Sequence, residues 1–319
     1  MAENKQLTTA VSQWSTQITG LVARDYEAIG LQMDDYSKSC AMSAISSIFD
    51  LVNSQGESLN NVDISNLRQT VGQMASLKLS ATNYPPECYF QLRKKKVGNT
   101  WAQAIEAGIM GAGNDRILST FGENVERVYP AWVIHEGDDF VPPKFKGIEV
   151  APPEWTPNNV SDRVAKVCYL IKLTDGTMQY LVSERESAKI NLIAHIRNNM
   201  LNETFGIAES RYKATDAQKA EIAKKKAEIM DKVKACATLD EIIALPEAQP
   251  YMSAAWLDST ESMVERKLRN NCVKKFPKNF DAISKRSFTQ LDDTYVQAQD
   301  DISEEENSEA FETAMNEVN

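Results

Sequence analysis

Basic residues are missing from the C-terminal end of this 319-residue chain. No lysine or arginine follows Arg286, whereas the same stretch carries ten acidic residues. The ten are Asp292, Asp293, Asp300, Asp301, Glu304, Glu305, Glu306, Glu309, Glu312 and Glu317. The whole chain has 45 acidic and 35 basic residues, so the acids outside this stretch also number 35 and the body is neutral. A segment this acidic, with few large apolar groups, cannot bury enough surface to fold, so we expect a disordered acidic tail over residues 287–319.

Histidines, paired cysteines and long apolar runs are also scarce. The chain has two histidines, and no CxxC pair occurs among its five cysteines, which argues against a structural zinc site. No apolar run approaches the ~18 residues that a membrane helix needs. The first residues lack the basic segment and apolar core of a secretory signal. We therefore expect a reduced, cytoplasmic protein that does not partner a membrane.

A complete phosphate-binding loop is another missing feature. The glycine-rich stretch Gly108–Asp115 (GIMGAGND) is not followed by the Lys-Ser/Thr pair that holds the terminal phosphate and its magnesium ion. Its glycine spacing also differs from the dinucleotide-binding fingerprint. We therefore expect neither nucleotide hydrolysis nor a bound organic cofactor.

Helical spacing dominates the first quarter of the chain. Residues 1–33 alternate only weakly between polar and apolar and are predicted to form an N-terminal arm. From Asp34 to Leu79, apolar residues recur at helical spacing on both sides of a polar break at Asn53–Ser58. Asp34 is placed as the N-cap of the first helix. This pattern predicts a helical hairpin.

Strand patterns begin after the sequence Tyr84-Pro85-Pro86. Cys88–Lys95 and Trp101–Ile105 are predicted strands, joined by a turn at Val97–Thr100. The following stretch, Gly108–Phe121, predicts a turn and a short helix. The sequence therefore indicates an antiparallel hairpin with a basic run near its turn.

A second hairpin is predicted further along the chain. Val125–Ile134 has strand character, and five prolines between residues 136 and 160 indicate an irregular loop. Arg163–Leu173 and Thr177–Val182 then form the clearest hairpin, because Asp175-Gly176 is a typical turn sequence between them.

Helices return in the last part. Ser183 and Glu186 predict a capping box that opens a helix over 184–201. Lys213–Ile243 is predicted to be a charged helix or helical pair, and Thr260–Lys275 a last helix that ends before a proline. Helices, antiparallel hairpins and then helices indicate an α+β fold in which a sheet packs against helices.

Clustered carboxylates suggest one kind of chemistry. Glu136, Asp138 and Asp139 lie close together and could hold Mg²⁺ for nuclease chemistry, assisted by Lys144 and Lys146. The same residues are also typical of a solvated turn that closes a strand. The sequence leaves both interpretations open.

Basic residues next to aromatic and polar side chains suggest a second kind of chemistry. Such groups can bind phosphates while a ring stacks on a base, although each group alone is also typical of a solvated face. In chain order the groups are the run Arg93, Lys94, Lys95 and Lys96, which faces Trp101 and Gln103; then Lys166, Arg185, Lys189 and Arg197; and then Lys267, Asn271 and Lys274, with Arg269, Lys275 and Lys278 close by.

Four segments in order resemble the RecT/Red-beta family of phage single-strand annealing proteins. They are MASLKLSATNYPPECYFQLR (Met74–Arg93), VYPAWVIHEGDDF (Val128–Phe140), AKVCYLIKLTDGTMQYLVSERE (Ala165–Glu186) and AAWLDSTESMVERKLRNNCVKKFPKN (Ala254–Asn279). The last is the most specific, since it is similar to the family's signature of tryptophan, methionine, lysine and a proline after a basic helix. The family's glutamine-x-glycine-tyrosine-lysine-glycine segment is replaced here by Ala102–Ile117.

The resemblance implies an annealing domain over residues 34–286, with a charged helical insertion at about 210–245. It implies ATP-independent binding of single-stranded DNA and annealing of complementary strands by a homo-oligomer, in a bacterial host cell. Expected partners are the single strand, the annealed duplex intermediate, other copies of the chain, and a partner exonuclease or host single-strand-binding protein. The candidate DNA contacts are Arg93, Lys95, Trp101, Gln103, Arg116, Lys166, Arg185, Lys189, Arg197, Lys267, Arg269, Lys274 and Lys275. Trp101 is the candidate for base stacking, with a place in the core as its alternative.

Two other functions stay open at the level of sequence. One is a Mg²⁺-dependent nuclease that uses Glu136, Asp138 and Asp139. The other is a non-catalytic recombination adaptor that recruits partners through its acidic tail.

Overall fold

The computed structural model describes residues 2–97, 100–147 and 149–291, with only the backbone described at 2–11, 13, 95–97, 100 and 101. These residues form two compact units, the first made of 2–128 with 276–291 and the second of 129–275. Helices and small antiparallel sheets occur together, which confirms the predicted α+β class. Within the described ranges, no helix is long and apolar enough to cross a membrane. The acidic residues of 292–319 lie outside the described residues.

Three helices form the core of the first unit. They are α1 (Ala2–Glu27), α2 (Asp35–Ser54) and α3 (Ile64–Leu77). As predicted, the side chain of Asp34 caps α2, accepting a hydrogen bond from the backbone N–H of Ser37 at 2.7 Å. The N-terminal arm is part of this core, because Ile18, Val22 and Tyr26 of α1 are buried.

A long antiparallel hairpin follows, made of β1 (Cys88–Val97) and β2 (Thr100–Ile109). The strands pair along their whole length and are longer than the sequence predicted. Asn66 of α3 holds the edge of β2: its amide oxygen accepts from the N–H of Ile105 at 2.5 Å, and its amide nitrogen donates to the carbonyl of Ile105 at 3.2 Å. The base of the hairpin is thereby attached to the helices.

The first unit is completed by α4 (Gly111–Phe121), β3 (Val125–Val128) and α10 (Ala282–Leu291). The sequence predicted no helix at α10, whose last five residues had been assigned to the acidic tail. Ser284 and Ser287 of this helix are buried against α3. The Ser287 hydroxyl lies 2.8 Å from that of Ser76, and the Ser284 hydroxyl donates to the Ser76 carbonyl at 3.0 Å.

An antiparallel sheet is the centre of the second unit. It contains β4 (Trp132–His135), β9 (Val164–Leu173) and β10 (Met178–Glu184), with β9 between the other two. The predicted hairpin of β9 and β10 is confirmed, and Gly176 in its turn adopts a φ of 85°, which favours glycine. Helix α9 (Thr260–Lys275) packs on this sheet with Val264 and Leu268 buried.

Four short strands occupy the stretch that the sequence predicted to be an irregular loop. Strand β5 (Asp139–Val141) pairs with β8 (Glu154–Thr156), and β6 (Lys144–Lys146) pairs with β7 (Glu149–Ala151). Prolines lie at the joints between the two ladders because a proline cannot donate a hydrogen bond to a strand partner. The predicted strand over 125–134 is likewise interrupted, with Pro130 lying between β3 and β4.

The other helices of the second unit are α5 (Lys189–Asn199), α6 (Asp216–Ala235), α7 (Leu239–Ala244) and α8 (Ala254–Leu257). The predicted capping box at Ser183 is wrong, since Ser183 belongs to β10 and its hydroxyl bonds that of Ser187 at 2.8 Å. A 3-10 helix, Arg185–Ala188, precedes α5 instead. A capping box does open α6, where Thr215 and Gln218 bond each other's backbone N–H groups.

Candidate nucleic-acid interface

Arg185 lies inside the second unit, where its side chain is only 6% exposed. Its guanidinium donates to both carboxylate oxygens of Asp240, at 2.7 and 3.1 Å, and to both of Glu261, at 2.8 and 2.9 Å. A fifth hydrogen bond, of 2.9 Å, reaches the carbonyl of Val164. Although burial opposes the charged form, these carboxylates raise the pKa of Arg185 above its ordinary range. Its N–H donors are therefore occupied within the protein.

Arg116 and Gln103 also bind groups of their own unit. The Nε of Arg116 donates to the buried carboxylate of Glu87 at 3.0 Å. Gln103 is 7% exposed, and its side-chain amide donates to Glu57 at 2.7 Å. Both residues lie in the segment Ala102–Ile117, and they connect β2 or α4 to neighbouring segments.

Two lysines of the middle group have protein partners as well. Lys189 donates to the carbonyl oxygens of Cys236 and Ala237, the latter at 3.2 Å, at the C-terminal end of α6. This is where a cation stabilises the unpaired carbonyls of a helix. Lys166 of β9 pairs with Glu184 of β10 across the sheet. Arg197, in the last turn of α5, is exposed.

Helix α9 exposes only part of the basic face that the sequence predicted for it. Lys267 is 8% exposed, and Arg269 pairs with Glu265 one turn earlier at 2.9 Å. Lys274 and Lys275, in the last turn, are exposed. Substitution of Lys267 would therefore disturb packing as well as charge, whereas the last turn of α9 is accessible to a ligand.

Two exposed cations are adjacent in the sequence on the β1–β2 hairpin. Arg93 is 67% exposed and pairs with Glu106 at 2.9 Å, and Lys94 beside it is exposed. The side chains of Lys95 and Trp101 lie outside the described residues, although their backbone continues the two strands. The residues directly across from 93–96 are Ala104, Gln103, Ala102 and Trp101, and Glu106, two positions beyond Ala104, is the carboxylate of the facing strand that pairs with Arg93.

The acidic cluster is built around a turn. The carboxylate of Asp138 is 1% exposed and accepts from the N–H groups of Asn158 and His135, at 2.8 and 3.0 Å, and from the indole of Trp155 at 3.0 Å. These donors lower the pKa of Asp138. Glu136 pairs with Arg163 at 2.8 Å. In the part of the chain that the structure describes, no three histidine, cysteine or acidic side chains are placed to hold a metal ion.

The glycine-rich segment is explained by close packing. Gly108 faces Tyr89 across the hairpin, and a Cβ at Gly108 would lie 2.3 Å from that ring. A Cβ at Gly113 would lie 2.0 Å from the carbonyl oxygen of Glu87. Both glycines therefore allow neighbouring groups to approach more closely than any other residue would permit.

The cysteines are all thiols, and most are buried. Burial raises the pKa of Cys88 to about 12 and that of Cys168 to about 11. Neither is a thiolate at neutral pH, which is the form that a nucleophile or metal ligand requires.

Two tyrosines that the sequence did not single out lie on the surface of the first unit. Tyr84 is fully exposed on the loop between α3 and β1, and Tyr36 of α2 is 38% exposed. The guanidinium of Arg116 lies 5.3 Å from the centroid of the Tyr36 ring. The two prolines after Tyr84 were the available signal, since they mark a rigid turn at the surface.

Comparison of the chain with protein-family models, with curated proteins and with solved structures finds no match.

Proposed function

We propose that this protein binds single-stranded DNA and anneals complementary strands without hydrolysing a nucleotide, as a homo-oligomer assembled on the DNA. The observation that carries the proposal is the exposed basic run on the β1–β2 hairpin. Arg93 and Lys94 are exposed there, and Lys95 and Lys96 follow in the sequence. Glu106 of the facing strand pairs with Arg93, whereas the residues directly across from 94–96 are Gln103, Ala102 and Trp101.

The physical basis is the repulsion between the phosphates of two complementary strands. Lysine and arginine side chains neutralise that charge and release bound counterions, so binding weakens as salt is added. Contacts to phosphates carry no sequence information, and they leave the base edges available to a second strand. Pairing between the bases then selects the complement, and the protein only has to hold one strand accessible.

The four segments that resemble the RecT/Red-beta family support this function and, with it, a RecT-like annealing core. On this proposal the exposed cations of the second unit, Arg197, Lys274 and Lys275, also bind phosphates. The partners are the single strand, the annealed duplex and other copies of the chain, together with a partner exonuclease or a host single-strand-binding protein.

The Arg93→Gln/Lys94→Gln variant tests the proposal at the hairpin. We expect it to bind labelled oligothymidylate more weakly than wild type and to anneal complementary oligonucleotides more slowly. Each neutralised phosphate contributes about 0.7 to the slope of log K against log salt, so removing both cations should lower the slope by about 1.4. Fluorescence anisotropy over a salt series measures the slope, and quenching of a labelled pair measures annealing.

A control with the same change of charge is Lys224→Gln/Lys234→Gln on the exposed side of α6. This control should bind and anneal as wild type does. The Arg93–Glu106 pair is exposed, so the hairpin variant should stay within about 1 kcal/mol of wild type in stability. If both variants bind equally weakly, the hairpin is not the site; if wild type neither binds nor anneals, the proposed function is wrong.

A further inference from the structure

The loop between α3 and β1 is closed by hydrogen bonds between its two ends. The N–H of Glu87 donates to the carbonyl of Ser80 at 3.0 Å, and the N–H of Ser80 donates to the Glu87 carboxylate at 2.8 Å. Inside the loop, the side-chain amide of Asn83 donates to the other carboxylate oxygen of Glu87 at 3.1 Å. The N–H of Ala81 donates to the hydroxyl of Ser43 on α2 at 3.1 Å. The loop is therefore fixed both to itself and to the helix beneath it.

Glu87 is the anchor of this loop. It is 5% exposed, and the guanidinium of Arg116 neutralises it at 3.0 Å. Pro85 and Pro86 fix two further backbone dihedral angles. These hydrogen bonds and the two prolines fix the conformation of the loop, so Tyr84 is exposed in a defined position. At 101% relative exposure, the ring of Tyr84 extends into solvent from a rigid support.

The groups next to this loop are a second tyrosine ring and a partly exposed guanidinium. The amide nitrogen of Asn83 lies 3.5 Å from the hydroxyl of Tyr36, whose ring lies near the guanidinium of Arg116. Arg116 is 37% exposed, so part of its charge reaches solvent. Two acids lie near Tyr36 in the chain, and each is paired with a lysine: Asp34 with Lys78 and Asp35 with Lys38.

The ring of Tyr36 and the partly exposed guanidinium of Arg116, next to the loop that carries Tyr84, suit a ligand that is flat and carries negative charge nearby. Base–aromatic stacking contributes about 1–3 kcal/mol per base and tolerates every base. A tyrosine that anchors a protein partner lies instead in a well-packed pocket from which water is excluded. The exposed neighbours of Tyr84 in its loop are Thr82, Asn83 and Pro85, and none of them is a large apolar group that would contribute to such a pocket.

We propose that Tyr84 is a base-stacking residue for single-stranded DNA, with Tyr36 and Arg116 forming the adjoining part of the same surface. This inference rests on the proposed function and assigns part of its binding site. Glu87 is a positioning residue, because it acts only by holding the loop that carries Tyr84.

The experiment compares wild type, Tyr84→Ala and Tyr84→Phe on two ligands of equal length, oligothymidylate and an abasic oligodeoxyribose phosphate. We expect Tyr84→Ala to weaken binding to oligothymidylate by about 5- to 150-fold, the range that the loss of one stacked base gives. Binding to the abasic strand should not change, and Tyr84→Phe should bind as wild type does. The salt slope should be the same in all three proteins, because the substitutions remove no cation.

Tyr212→Ala is the matched control. Tyr212 is 80% exposed and also lies beside a guanidinium, that of Arg211 at 5.0 Å from its ring centroid. Unchanged binding by Tyr212→Ala supports a specific role for Tyr84, whereas equal losses at both tyrosines overturn it. If Tyr84→Ala binds both ligands more weakly by the same factor, or binds both as wild type does, the inference is also overturned. If wild type binds neither ligand, the proposed function fails together with it.

Discussion

Arg185 illustrates, at the scale of a single residue, how one side chain can fix several segments of a fold. Its five hydrogen bonds match the five N–H donors of a guanidinium. They connect the 3-10 helix at Arg185–Ala188 with β9, α7 and α9. Arg163 extends the network by donating to Asp240 at 2.5 Å. A lysine could not replace Arg185, because an ammonium group cannot form the same planar pairs.

The ionisation of Asp240 should make part of the stability depend on pH. Hydrogen bonds from Arg185, and then from Arg163, lower the pKa of Asp240 from 3.8 to about 2. The contribution is therefore complete above pH 3.8 and is lost as the pH falls toward 2. We expect Asp240→Asn to lower the free energy of unfolding at pH 7 by about 1–2 kcal/mol, after discounting for a side chain that is 39% exposed.

Urea unfolding of wild type and Asp240→Asn, followed by tryptophan fluorescence between pH 7 and pH 3, measures this difference. The gap between the two proteins should narrow as the pH falls below about 4. Asp216→Asn is the control, since Asp216 is 86% exposed and its pair with Lys219 should contribute less than about 0.5 kcal/mol. A gap that stays constant with pH would show that Asp240 does not act through its charge.

At the scale of elements, α10 is the helix that the sequence did not predict. It lies on α3 and has two buried serines, and the ring of its Phe288 lies 5.1 Å from that of Phe280. Its core-facing side includes hydroxyls bonded to Ser76, so the usual stripe of large apolar residues is weak there. The helix therefore depends on its neighbours more than on its own sequence pattern.

Two truncations test the role of α10. A chain that ends at residue 280 should lose about 2–4 kcal/mol of stability in the first unit, because Ser284 and Ser287 no longer pack on α3 and the ring of Phe288 no longer packs on that of Phe280. A chain that ends at residue 291 retains the helix and should unfold as the full chain does. Thermal unfolding followed by circular dichroism compares the three proteins. Equal unfolding of the two truncated chains would mean that α10 contributes nothing to stability.

At the scale of the whole molecule, the distribution of charge matters more than its sum. The net charge of −10 equals the charge of the ten acids after Leu291, so the rest of the chain is neutral. A neutral body leaves room for local groups of exposed cations, such as Arg93 and Lys94 on the β1–β2 hairpin. We infer that the acidic segment competes with DNA for these cations when salt is low.

The chain that ends at residue 291 tests this competition. We expect it to bind oligothymidylate about 3- to 10-fold more tightly than the full chain at low salt. The difference should disappear as the Debye length shortens toward about 3 Å at 1 M salt. Anisotropy titrations over a salt series measure both effects. If the two chains have identical affinities at low salt, the acidic segment does not compete with DNA. The proposal that the hairpin binds DNA would be unaffected.

The sequence by itself determined those features that depend on residues close together in the chain. The cap at Asp34, the turn at Asp175-Gly176 and the helix over Thr260–Lys275 are all confirmed, although α10 and not this helix is the last one described. Capping, turn geometry and helical spacing involve groups within a few positions of each other, so a local pattern is sufficient. The charge separation between body and tail is likewise a property of sequence alone.

Only the tertiary structure decided which cations are accessible. Arg185 bonds carboxylates that lie 55 and 76 positions away and is buried, whereas Arg116 bonds one that lies 29 positions away and stays partly exposed. A basic residue looks the same in a sequence whether it faces solvent or neutralises a buried acid, because its partner is chosen by packing over long separations. For the same reason the sequence does not show that Tyr84 is exposed. Its exposure depends on the conformation of the loop that Glu87 closes.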